Sequence, residues 1–135
     1  MGRSLPARPV TVPPAFAKLA RSFGYAFAGL RYIWDTQPNW RVHLFATTLV
    51  VAVALVLGVT AAEFGVLALA IGLVLVCEAF NTAIEAAVDL ASEGRFSLAA
   101  KRAKDSAAAA VLISAGTAVA VGLFILGPRL VLLVG

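Results

Sequence analysis

Between Ala15 and Trp34 the apolar residues recur at helical spacing, and beyond Val42 they run almost without interruption. In the first stretch Phe16, Leu19, Phe23, Phe27 and Leu30 share one face of a helical wheel, while Lys18, Arg21 and Arg31 fall elsewhere. That pattern predicts an amphipathic helix over about 15–36, of the kind that lies in a membrane interface. Asp35 to Asn39 is a polar break, and Pro38 is expected to end the helix near Gln37. Three apolar stretches follow, at about 42–58, 64–89 and 106–127, each near the roughly 20 residues that cross a hydrocarbon core. Thr60 to Glu63 reads as a tight turn between the first two, and the third is expected to end before Gly127 and Pro128. The prediction is an all-α integral membrane protein, with one interfacial helix and three transmembrane helices forming a single domain over 15–135.

Composition supports the same class. Of 135 residues, 61% are hydrophobic and 13% charged, with a mean hydropathy of +0.96, a balance foreign to soluble domains. A net charge of +4 and a pI near 9.8 could suggest nucleic acid, but the cations flank apolar segments rather than forming one basic face, so no nucleic-acid partner is expected. Six Lys and Arg precede the first span, none lies between the first and second, four lie between the second and third, and one follows. The positive-inside rule then puts the amino terminus and the 90–105 loop in the cytoplasm. Residues 1–14, with Arg3, Arg8 and four prolines, lack the apolar core of a cleavable signal and read as a disordered tail. The single cysteine, Cys77, permits no intrachain disulfide and reads as a small buried hydrophobe.

The second span begins apolar and turns polar. At about 100° per residue, Glu78, Asn81, Glu85 and Asp89 occupy an arc of roughly 80° on one helix face. Ionisable residues at membrane depth are costly, so several on one face suggest a polar cavity or functional site. The plainer alternative is a span that ends near Cys77 and continues as a solvated helix. The stripe faces the same side of the membrane as Lys18, Arg21, Arg31, Arg41, Lys101, Arg102 and Lys104. Carboxylates beside cations suit phosphoryl transfer, which needs metal ligands, cations for phosphate charge and a group to take the hydroxyl proton. Neither GxxxxGK[ST] nor a kinase-type GxGxxG occurs, so any nucleotide site has to be built from helices. A transporter would place charge near the bilayer midplane, whereas this stripe lies at one end of its span.

The run EAFNTAIEAAVD, Glu78 to Asp89, resembles the most specific motif of the bacterial diacylglycerol kinase and undecaprenol kinase family, and AKDSAAAAVLI, Ala103 to Ile113, resembles its second. SFGYAFAGLRYIW and NWRVH are similar to the family's surface helix and the start of its first span, so the likeness covers about residues 16–127. The resemblance implies a homotrimer in the bacterial inner membrane, with sites shared between subunits, that uses ATP and Mg²⁺ to phosphorylate a lipid alcohol. It implies Glu78 as general base, Glu85 as metal ligand and Asn81 as a neighbouring polar residue. It further implies Tyr25, Lys18, Arg21 and the pair Lys104 and Asp105 at the nucleotide. A carboxylate dehydrated at the membrane boundary is a better base, which agrees with the first of these roles.

Two departures stand out. Gln37 occupies the position of a family glutamate that shares the metal with the residue matching Glu85, and a neutral carbonyl oxygen holds Mg²⁺ less well. Asp35, two residues away on a helix, points elsewhere. The loop SEGRFSLAAKRAKD keeps Glu93 and Phe96, lacks the family's histidine and is about one residue longer. The only histidine, His43, reads as an interface residue. TQPNWRVH is more similar to the undecaprenol branch, which favours undecaprenol over diacylglycerol as acceptor. A member impaired by Gln37 and serving as a structural or binding membrane protein is the alternative from another class.

Overall fold

The computed structural model describes residues 14–134, so the segment read as a disordered tail lies outside the described residues apart from Pro14. Four helices follow one another: α1 (Ala15–Thr36), α2 (Pro38–Val56), α3 (Ala61–Ala91) and α4 (Leu98–Val134). No strand occurs among the described residues. α2, α3 and α4 are each long and apolar enough to cross a membrane.

The part of α1 through Tyr32 is one compact unit and the chain from Ile33 onward is another. Within the first, Phe16, Leu19, Phe23, Phe27 and Leu30 are all exposed, an apolar face that a membrane interface would cover. α1 stops at Thr36 because the ring of Pro38 disfavours helical backbone at the residue before it. Gln37 is accordingly extended (φ −110°, ψ 104°), and Pro38 opens α2 where its missing N–H costs nothing.

Both later turns close on the same hydrogen-bond pattern. After α2, the N–H of Val59 donates to the Ala54 carbonyl at 3.2 Å and that of Gly58 to Leu55 at 3.3 Å, with Gly58 at φ +62°. Glycine fits this left-handed position without strain. After α3, Gly94 donates to Asp89 at 3.1 Å and Glu93 to Leu90 at 3.3 Å, but here the corresponding residue is Glu93, at φ +52°. The α2–α3 turn therefore spans 57–60, three residues earlier than the sequence suggested. Thr60 is the N-cap of α3 and exchanges hydrogen bonds with Glu63 inside the helix, a capping box rather than a turn.

α3 and α4 make the dominant helix contact, and α2 packs less extensively against both. Their shared seam steps by threes and fours: Leu67, Ile71, Val74, Glu78, Asn81 and Glu85 on α3, and Lys104, Ala107, Val111, Ser114, Ala118, Val121 and Ile125 on α4, are all buried or half-buried. Ion pairs bracket the hairpin at both ends. Lys104 Nζ lies 2.6 Å from Asp89 Oδ1 near the 92–97 loop, and at the far end Arg129 donates to both carboxylate oxygens of Glu63 at 2.8 Å. A small apolar cluster of Ala54, Leu67, Ile125 and Leu126 closes that far end.

α4 does not stop before Gly127 and Pro128, as the sequence suggested, but continues through them to Val134. A proline inside a helix removes one backbone bond, and freed polar groups at such a break need other partners. Pro128 takes the i+4 donor from the Phe124 carbonyl; at the neighbouring Ile125 carbonyl Arg129 adds a bond from Nη1 at 3.2 Å, and its ion pair ties this last stretch to α3.

Candidate active site

α3 carries the polar stripe on its seam face, where it is partly sealed by α4. Glu78 is only 2% exposed, the largest fully buried side chain among the described residues. Its carboxyl receives no side-chain hydrogen bond among the described residues, and the titratable side chains that bear on it electrostatically are His43 and Glu85. Asn81, 9% exposed, donates from Nδ2 to Glu85 Oε1 at 3.3 Å, and its Oδ1 is buried without a partner. The ion pairs at the two ends set a register that puts Glu78 level with Ser114, Asn81 with Val111 and Glu85 with Ala107. Ser114 is itself buried and donates to the Val111 carbonyl at 2.9 Å, so it does not neutralise Glu78. Thr82, also buried, donates back to the Glu78 carbonyl at 3.0 Å.

Helical rise puts Glu78 about 22 Å along α3 from Glu63, less than the roughly 30 Å thickness of a hydrocarbon core. The span does not end in sealed apolar contact at Cys77. The stripe continues along the protein seam toward the loop, and only Asp89, ion-paired to Lys104, is well exposed.

Near the loop a cavity of about 380 Å³ is lined by Asp89, Ser92, Arg95, Phe96, Lys101 and Lys104. Each cation there already has an acid: Lys104 pairs with Asp89, Lys101 with Asp105, and Arg95 with Glu93. Lys104 and Asp105, expected to act together, are thus engaged with different partners. A second cavity, about 420 Å³, lies between α2, α3 and α4; its lining is apolar except for His43 and Thr47.

Lys18, Arg21 and Tyr25 lie in the first compact unit and are exposed, with Arg21 Nε donating to the Ala17 carbonyl. Gln37 is half-buried at the break before α2, and its side chain neither caps that helix nor bonds to Glu85. Among the described residues, no three His, Cys, Asp or Glu side chains cluster as a metal site. Glu85, oriented by Asn81, still fits Mg²⁺, which retains several waters and is commonly held by one or two carboxylates plus substrate phosphates. The unpartnered Asn81 Oδ1 is a ready acceptor for such a water.

Residues 24–126 match the model of the prokaryotic diacylglycerol kinase family. The chain belongs to that family. All of the polar stripe, both ion-paired lysines and Gln37 lie inside the matched segment, and Lys18 and Arg21 precede it. A diacylglycerol kinase of Synechocystis is 45% identical over 81% of this chain, a match that spans 62% of that protein's length. The diacylglycerol kinase of Escherichia coli K12 is 36% identical over 73% of this chain and 80% of its own. The undecaprenol kinase of Bacillus subtilis is 34% identical over 82% of this chain and 89% of its own.

Sequence reading missed three features of this site. His43 was assigned to the interface, yet it lines the inner cavity and lies electrostatically close to Glu78. Ser114 and Thr82 gave no signal beyond their place in the heptad-like spacing. The Glu63–Arg129 clasp was legible only as opposite charges at the ends of two successive spans.

Proposed function

We propose that this chain is an ATP-dependent lipid kinase of the cytoplasmic membrane that phosphorylates a primary hydroxyl, with undecaprenol as the acceptor. The observation that carries the reading is Glu78: a carboxyl buried at the edge of the hydrocarbon, facing protein rather than lipid, and free of side-chain hydrogen bonds among the described residues. A buried ionisable group without a structural partner costs stability, so its presence on the seam calls for a chemical role.

The lipid hydroxyl reaches Glu78 from the bilayer, and the carboxylate removes its proton as the oxygen attacks the γ-phosphorus of ATP. Lys104, at the loop end of the same seam, leaves Asp89 and takes up charge on the transferring phosphoryl group. Asn81 holds Glu85 in place for the metal. Bound there, Mg²⁺ would offset the negative charge of the nucleotide phosphates. Lys18, Arg21, Tyr25, Asp105 and Gln37 complete the nucleotide and metal contacts. The family resemblance supports a homotrimer whose sites draw on neighbouring subunits. The basic 90–105 loop supports a cytoplasmic position for this end of the seam, where ATP is.

Undecaprenol rests on the NWRVH segment. Diacylglycerol is the second reading, favoured by the 45% identical Synechocystis protein of that name. The test is ATP-dependent phosphorylation by the detergent-purified protein, with each lipid offered separately and Glu78→Gln alongside. Turnover of one lipid that vanishes in the variant is the expected result. Folded protein that phosphorylates neither lipid overturns the proposal and points to Gln37 as the impairing residue.

A further inference from the structure

Resting on the lipid-kinase reading, a further role follows for His43. Each turnover leaves one proton on Glu78, which must lose it before the next hydroxyl can be activated. Glu78 is only 2% exposed, so few groups stand close enough to receive that proton. On its own helix, Thr82 and Asn81 do not accept a proton at neutral pH, Cys77 is half-buried beside it, and Glu85 lies two turns on, committed to Asn81 and the metal. At its level α4 presents only Ser114 and Val111. α2 presents His43, half-buried at the edge of the inner cavity with Val74 and Leu75. Val74 is one turn from Glu78 on the same face of α3, so His43 packs within one helical turn of the residue that bears the carboxyl. Two residues before it on α2, Arg41 is exposed, so the helix leads from His43 to solvent.

We propose that His43 is the positioning residue that takes the proton from Glu78 and passes it to solvent, resetting the base between turnovers. The O–H bond of the Glu78 carboxylic acid breaks as an N–H bond forms on the unprotonated imidazole nitrogen, directly or through one water. The imidazolium then returns the proton to solvent water, and no oxidation state changes.

The experiment compares wild type, His43→Ala, His43→Gln and Glu78→Gln in detergent, each checked for fold by circular dichroism and gel filtration. Expected for His43→Ala is a fall in kcat of about tenfold or more, with KM for ATP unchanged, an altered pH–rate profile and partial rescue by added imidazole that Glu78→Gln does not show. Wild-type kcat in His43→Ala, or a loss that raises KM and resists imidazole, overturns the proposal. The chain has one histidine, so ¹⁵N-histidine labelling gives one ring to follow in wild type and Glu78→Gln, with or without activity. A titration midpoint that differs between the two by about half a pH unit or more sustains the coupling, and identical midpoints refute it even if the lipid-kinase reading itself fails.

Discussion

Replacing Asn81 with leucine should make the protein more stable and less active. Asn81 is 91% buried on the α3–α4 seam, with Oδ1 unpartnered and a single long bond from Nδ2 to Glu85. A buried acceptor left unsatisfied costs about 1–3 kcal/mol, and leucine, with the same heavy-atom branching but larger methyl groups, removes that cost while adding apolar contact opposite Val111. Against this stands one hydrogen bond to a carboxylate, worth about 1.5–3 kcal/mol at ideal geometry and less at 3.3 Å, whose acceptor is only half-buried and can turn to water. The balance is a stabilisation of roughly 1 kcal/mol, read as a shift of the unfolding midpoint when SDS is titrated into detergent micelles. Lipid phosphorylation should fall by about tenfold or more, because Glu85 loses the group that orients it for the metal. Asn81→Leu that is destabilised by more than about 1 kcal/mol would show that the amide is a structural bond rather than a functional one. Undiminished turnover would sever Asn81 from the site.

Two further predictions come from local geometry. Glu93→Gly should stabilise by about 0.5–1 kcal/mol in the same titration, since glycine takes the φ of +52° without strain and the lost pairing with Arg95 is at an exposed surface. Gln37→Glu should lower the Mg²⁺ concentration for half-maximal activity several-fold, as an anionic oxygen replaces a neutral one; an unchanged requirement would remove position 37 from the metal site.

Much of the architecture was readable from the chain because the bilayer imposes its own rules. Uninterrupted apolar runs of sufficient length must be helices, since backbone groups have no water to bond, and Pro38 had to separate α1 from α2 whatever packed around it. The stripe from Glu78 to Asp89 was legible because carboxylates are rare within such runs. The end of α4 was not legible: Gly127 and Pro128 carry a local stop signal, and only the distant Glu63, meeting Arg129 across the hairpin, accompanies the helix past it.

The sequence by itself determined the fold class, the number of spans and which helix face bears the chemistry, because each depends on periodicity and solvation that neighbouring residues share. Only the tertiary structure decided that the face is turned into the α3–α4 seam, that Asn81 holds Glu85 while leaving one oxygen unpartnered, and that His43 lines the inner cavity with Val74 and Leu75. Those facts depend on the register between helices. Register is set by ion pairs and small-residue contacts between positions far apart in the chain, and no local pattern encodes it.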